Sequence, residues 1–218
     1  MKTQKTFTHK FISLPQIEET TINEKRHYKT PEGKFYPSVT TVLSSVEKSG
    51  IEEWKKRVGE EEAARVLKRA NERGTLIHGM AEQYLLNRPI SPNMTFLQLK
   101  PYLDMVNNVY GLEVPLYSDY LQIAGRTDCI ADYSGKPSII DFKTSRRIKE
   151  KDDIMNYFLQ ASCYSYMFEE RTGIKIPQIV ILIADDYGGT IPYIEKRSNY
   201  REKLLQVILN FRQSVKSS

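Results

Sequence analysis

The chain has 218 residues, 40% of them hydrophobic and 27% charged, with a formal net charge of +5 and two cysteines, Cys129 and Cys163. That length and mix read as one soluble domain with enough chain to bury a core. No apolar run approaches the ~18 residues of a membrane span, and two cysteines fall short of the about four ligands a structural zinc or iron–sulfur site needs. The basic balance permits a nucleic-acid partner without requiring one. A reduced, intracellular setting is the plain reading of the cysteines. The opening MKTQKTFTHKFISLPQIEETT has no secretory apolar stretch, and Glu18 and Glu19 argue against a transit peptide, so a cytoplasmic location is expected.

In chain order, RHYKTPEGKFYPS predicts a hairpin about Pro31-Glu32-Gly33, with Tyr28, Phe35 and Tyr36 on its arms. Ser38 then predicts the N-cap of a short helix carrying Val39, Val42, Leu43 and Val46. Residues 51–71 read as a charged helix with Ile51, Trp54, Val58 and Leu67 apolar. Gly74 is expected to break or bend the pattern, and TLIHGMAEQYLLN continues as an amphipathic helix. A further helix is expected over Thr95–Tyr110, despite Pro101. The texture then changes to strands: LEVPLYS, LQIAGRTDCIADY and, after an SGKP turn, SIIDFKTS. Residues 150–171 read as a helix stopped by Gly173. PQIVILIAD is a buried strand, TIPYIEK its neighbour, and a last helix covers about Ser198–Val215. The order predicts a mixed α/β domain with a central sheet.

The stretch IIDFKTSRR carries the chemistry. Side chains alternate along a strand, so Asp141 and Lys143 share a face while Phe142 points the other way. If Ser134–Pro137 forms a four-residue loop, Tyr133 faces Ser138. Asp128 then lies opposite Lys143, and Ile130 opposite Asp141. Asp128, Asp141 and Lys143 thus fall on one face, with the two aspartates diagonal neighbours about 7 Å apart at the backbone. That spacing suits two carboxylates sharing a divalent cation. A loop of three or five residues would reverse the parity unless a bulge restored it. Gly125 marks such a bulge or a close backbone approach. An Asp–Lys pair at a strand end is also what a solvated ion pair looks like, so the matching phase of Asp128 carries the functional reading.

Four motifs extend it: GTLIH from Gly74 to His78, GRTD ending at Asp128, DFK from Asp141 to Lys143, and QASCY from Gln160 to Tyr164. In that order, on helix, strand, strand and helix, the sequence resembles the PD-(D/E)XK nuclease superfamily, in its RecB-like exonuclease branch. YPSVTTVL, WKKRVGEEEA and RGTLIH narrow the likeness toward the mitochondrial genome maintenance exonuclease and its compact phage relatives. The likeness spans residues 26–186. Thr127 stands where the superfamily name has a proline, and the cysteine set of the iron–sulfur branch is missing.

The resemblance implies a restriction-endonuclease-like core over residues 73–218, preceded over 1–72 by the hairpin and a helical segment arching over the site. It implies a DNA exonuclease favouring single strands or ends, working as a monomer with Mg²⁺ or Mn²⁺, in the host cytoplasm for a phage protein. Asp128, Asp141, His78 and the Phe142 carbonyl would hold the cation, and an imidazole donor tolerates Mn²⁺. Lys143, with an unperturbed pKa of ~10.4, would orient the attacking water or stabilise charge on phosphate. Gln160 would hold that water or Lys143, and Tyr164 would bond a phosphate. Glu113 has a motif-like place and either sits near the metal or supports the sheet. Lys55, Lys56, Arg57, Arg73, Arg146 and Arg147 would track the DNA backbone, with Trp54 and Tyr36 as candidates for stacking on bases. Two other readings stand beside this one: a duplex exonuclease or structure-selective endonuclease of the same chemistry, and a non-catalytic nucleic-acid-binding module.

Overall fold

A computed structural model describes residues 5–45, 48–147, 149–186 and 188–216. In chain order the strands and helices are β1 (Thr8–His9), β2 (Glu18–Ile22), β3 (Lys25–Lys29), β4 (Phe35–Pro37), α1 (Val39–Ser44), α2 (Lys48–Val58), α3 (Glu60–Leu85) and α4 (Met94–Leu103). There follow β5 (Val106–Ser118), β6 (Ile123–Tyr133), β7 (Lys136–Ser145), α5 (Met155–Thr172), β8 (Gln178–Asp185), β9 (Thr190–Lys196) and α6 (Arg201–Lys216). Six strands form a mixed central sheet in the order β1-β5-β6-β7-β8-β9, and β2, β3 and β4 form a small second sheet. No helix among the described residues is long and apolar enough to cross a membrane.

The sheet is covered on both faces, which is why its central strands read as apolar runs. Along β8, Ile179, Ile181 and Ile183 pack on one side with α1, α5 and α6. Val180, Leu182 and Ala184 pack on the other with Ile77, Ala81 and Leu85 of α3 and Phe96, Leu99 and Leu103 of α4. Each fully buried aliphatic side chain contributes about 1.5–3 kcal/mol. β7 and β8 run parallel, and the crossover that parallel strands require is α5.

Locally, Ser38 caps α1 by accepting from the Thr41 N–H at 3.0 Å. Gly173 ends α5 in the left-handed conformation, φ 72°. The predicted hairpin is β3–β4, joined by a third strand, β2, whose polar EETTI gave no apolar pattern to find. Val46 lies outside the described residues.

Three expectations need correction. The helical break falls at Gly59, φ 86°, and not at Gly74, which sits inside the 26-residue α3. A left-handed φ ends a helix, whereas an interior glycine weakens it by only about 1 kcal/mol. The helix expected to reach Tyr110 stops at Leu103, because Val106 already pairs with Tyr133 in the sheet. Tertiary pairing overrides the helical reading of that stretch. The β6–β7 loop has two residues, not four: Tyr133 pairs with Lys136, and Ser134 and Gly135 both take positive φ, 51° and 79°. Two successive positive φ values make the turn whose twist suits a hairpin.

Residues before 72 do more than form a hairpin and helices. Phe7 lies in the core beside α3, and β1 is an edge strand of the main sheet. α3 runs unbroken from the segment expected to arch into the core, and α2 packs on it.

Candidate active site

The shorter loop moves the β6–β7 register by two residues. Ile130 faces Ile139, and Cys129 faces Ile140. A shift of two conserves parity, so Asp141 and Lys143 still share the face of Ile130 on β6. Beyond Cys129 and Ile140 the ladder stops, while β5–β6 and β7–β8 pair onward. The two central strands therefore part inside the sheet. Asp128 bridges the gap: its Oδ2 accepts the Phe142 N–H at 2.7 Å, in place of a backbone partner.

Each neighbouring element adds one group. α3 brings His78, whose Nδ1 lies 3.5 Å from Asp128 Oδ1 and whose ring stands edge-on to Phe142. β5 brings Glu113, which lies between the pairs Leu112–Cys129 and Val114–Thr127, opposite Asp128, at φ 47°. The donor atoms of His78, Glu113 and Asp128 all lie within 4.8 Å of one another. Ligands of one hard cation sit ~2.0–2.6 Å from it and so about 4–5 Å apart at most. One imidazole and two carboxylates at this spacing fit a divalent ion. Asp141 stands outside that group. It is 1% exposed, Lys143 Nζ lies 2.5 Å from its Oδ2 without hydrogen-bond alignment, and neither carboxylate oxygen has an aligned donor among the described residues. The Lys143 ammonium also sits over the Tyr157 ring.

The electrostatics follow from crowding. Burial, and then the Asp128 charge, push Glu113 up to about 7. Burial pushes Asp141 up to about 6, against the opposing pull of Lys143. Burial also resists the charge on Asp128, but the hydrogen bond and charge of His78 outweigh it and hold that carboxyl low. For His78 and Lys143 burial works against the charged form, and the facing carboxylates overcome it and raise both. The facing carboxylates thus favour the ammonium form of Lys143, which suits charge stabilisation.

A cleft of about 490 Å³ opens beside the cluster, lined by Gly74, Thr75, His78, Gly79, Glu82 and Glu113 among others. Side chains added at Gly74 or Gly79 would meet open space. The two glycines lower the cleft floor; they do not make room for a protein neighbour. Glu82 was not anticipated, although its place four residues after His78 on a helix puts it on the same face. A larger hollow of about 690 Å³, between the small sheet and α6, contains none of these groups.

On the far side of Asp141, Gln160 Nε2 donates to Tyr164 Oη at 3.2 Å. Tyr164 is buried, and burial holds its phenol well above the usual value, with the charges of Asp141 and Asp128 adding to the shift. Gly125 is paired regularly with Leu116, so it marks no bulge. A Cβ there would come within 2.8 Å of Tyr164 Cε1 and 3.3 Å of Val39 Cγ2. Gly125→Ala is expected to lower stability by about 1–3 kcal/mol through overpacking and to reduce activity by shifting Tyr164. Urea titration alongside a nuclease assay checks both.

The basic residues divide. Lys55, Lys56 and Arg57 are exposed in the last turn of α2, and Arg146 and Arg147 are exposed just beyond β7. Arg73 is held by Asp186, with Nη1 2.6 and 2.7 Å from the two carboxylate oxygens. Tyr36 is buried and donates to Asp119 at 2.7 Å, so its ring offers no platform for bases. Trp54 is half-buried on α2.

The sequence pattern of the PD-(D/E)XK nuclease superfamily matches residues 93–206, a span that includes Glu113, Asp128, Asp141, Lys143, Gln160 and Tyr164. The chain belongs to that superfamily. Among solved structures it is similar to SSO0001, at 14% identity over 75% of this chain and 69% of that one, TM-score 0.43. It is also similar to a Eubacterium rectale protein provisionally named an exonuclease, at 16% identity over 82% of this chain and 67% of that one, TM-score 0.37. No curated protein sequence matches the chain.

Proposed function

We propose that the chain is a metal-dependent DNA exonuclease that takes single strands or free ends, with Mg²⁺ or Mn²⁺ as its cation. The observation that carries this reading is the convergence of His78, Glu113 and Asp128 where β6 and β7 part, with the Asp141–Lys143 pair beside them. His78, Glu113 and Asp128 would hold the cation, with Asp141 and the Phe142 carbonyl completing the set. When bound, the cation polarises the scissile phosphate and makes a water more acidic.

The chain's own groups do the rest. Lys143, charged and braced by Asp141, places a cation where charge grows on the phosphate. Asp128, fixed by the Phe142 N–H, cannot swing away from the cluster. Gln160 and Tyr164 act together on the α5 side, Gln160 positioning water or Lys143 and Tyr164 reaching toward phosphate. Within residues 1–72, α2 and the first turns of α3 supply the arch-like segment, while β1 and Phe7 belong with 73–218 in the catalytic core. Lys55, Lys56 and Arg57 on α2, with Arg146 and Arg147 beside β7, draw in a strand by sequence-independent charge, so activity falls with added salt.

Free-end dependence tests the reading. With Mn²⁺, an end-labelled linear single strand should be degraded while the covalently closed circle of the same sequence survives. Cutting of the circle at a rate comparable to the linear strand would move the protein to the endonuclease alternative. Metal binding with no cleavage of any substrate would leave only the binding-module reading.

A further inference from the structure

We propose that Asp186 is a built-in substitute for a nucleic-acid phosphate, occupying Arg73 until a strand displaces it. The proposal rests on the nuclease reading above and adds a regulated phosphate contact beside the cleft at His78 and Glu113, whose lining does not include Arg73. Arg73 immediately precedes Gly74, which lines that cleft, and lies five residues before His78, about 7.5 Å along the helix axis at 1.5 Å per residue.

The turn that carries Asp186 is fixed at its base. The Asp185 N–H donates to the Gly189 carbonyl at 3.0 Å, and the Gly189 N–H donates to Asp185 Oδ1 at 3.1 Å. Gln98 of α4, its amide nitrogen turned toward the turn, donates to the carbonyls of Gly189 and Asp185 at 2.8 and 3.2 Å. A side chain at Gly189 would meet Asp185 Oδ2 at 2.9 Å. None of these bonds involves Asp186, whose side chain is 41% exposed. The bonds at the base of the turn, between Asp185, Gly189 and Gln98, would remain if Asp186 let go.

The Arg73 guanidinium is incompletely used. Nη1 alone reaches both Asp186 oxygens, while Nε is shielded from solvent and has no hydrogen-bond partner among the described residues. A buried donor left unmade is costly and calls for an explanation. A guanidinium offers Nε and Nη as a planar fork, and a phosphate presents pairs of oxygens that accept from both at once. Exchange of Asp186 for phosphate would satisfy the idle donor. The bond given up is modest, since the pair is reached by solvent, with the Arg73 side chain 23% and that of Asp186 41% exposed, and solvent screens such pairs. In the free protein the carboxylate would screen Arg73 from small anions. A strand already drawn to the exposed basic residues would bring phosphate at a local concentration able to compete.

The test is binding of a fluorescein-labelled oligothymidylate in chelator, where nothing is cut, by wild type, Asp186→Asn, Asp186→Ser, Arg73→Gln and the Arg73→Gln/Asp186→Asn double variant. The Asp186 variants should bind about three- to five-fold tighter than wild type, the upper range for one exposed ion pair. Arg73→Gln should bind more weakly, and the double variant should show no gain over Arg73→Gln. Unchanged or weaker binding by both Asp186 variants overturns the proposal. So does a gain that persists in the Arg73→Gln background, which would be a general charge effect. Cleavage of the linear strand by wild type in Mn²⁺ is measured in parallel. Its failure sinks the nuclease reading, whereas cleavage without a gain in the Asp186 variants sinks this proposal alone.

Discussion

Asp141→Asn should remain folded and lose cleavage of single-stranded DNA by on the order of a thousand-fold, the scale on which removing one aligned charge acts at a reacting phosphate. Asparagine has nearly the same shape and fits the same position between Ile140 and Phe142 in β7. The deleted charge braces Lys143, whose ammonium lies 2.5 Å from Oδ2. Breaking a fully buried pair costs about 3–5 kcal/mol. Here the Lys143 side chain is 19% exposed and keeps its contact with the Tyr157 ring and the charge of Asp128, so a smaller loss is expected. An opposing effect runs with pH. Burial lifts the folded Asp141 carboxyl from its ordinary 3.8 to about 6. The folded protein therefore holds that proton longer than the unfolded chain does, and ionising Asp141 lowers stability as pH rises from about 4 to 6. Asp141→Asn should flatten that decline. Melting curves across this range, with single-turnover cleavage at pH 8, check both halves. Wild-type turnover in the folded variant would remove Asp141 from the site.

The parts of the fold that were legible in the sequence are those set by local pattern. The Ser38 cap, the Gly173 stop and the apolar run of β8 each follow from a few adjacent residues. The parts that were not legible depend on partners far away in the chain. Asn107 to Tyr110 read as helix until Val106 finds Tyr133, and the polar β2 shows itself only by pairing with β3. The placement of Asp128 beside Asp141 and Lys143 survived a wrong loop length only because the error was two residues and strand parity has a period of two. Glu113 was left open because a left-handed φ inside a strand breaks the alternation that would have placed it. Counting from either flanking pair sets it opposite Asp128, so the information was present once the β5–β6 register was known. Arg73 shows the converse limit, since nothing near it in sequence announces Asp186, which lies 113 residues on.

Glu113 also carries the second large effect. Glu113→Gln should weaken Mn²⁺ binding at pH 8 by about ten- to a hundred-fold, using the sensitivity of metal sites to loss of a supporting group as a lower guide. It should also flatten the dependence of that binding on pH. In wild type three groups take up protons that compete with the metal. Glu113 titrates near 7, Asp141 near 6, and His78 above its ordinary 6.5. A carboxyl raised in this way is protonated below its pKa, and an imidazole must lose its proton to ligate, so all three act in the same direction. Affinity should therefore fall as pH drops from 8 to 6, by tenfold per pH unit for each proton displaced. Glutamine has no proton to displace and keeps the side-chain length and the strand's turn at φ 47°. Its profile should lose the portion near pH 7 and keep the portion due to His78 and Asp141. Calorimetric titration with Mn²⁺ at pH 6, 7 and 8 measures affinity, and repeating it in buffers of different ionisation enthalpy counts the protons released. If Glu113→Gln binds Mn²⁺ at pH 8 as tightly as wild type and releases as many protons at pH 7, Glu113 supports the sheet and the cation is held by His78, Asp128 and Asp141.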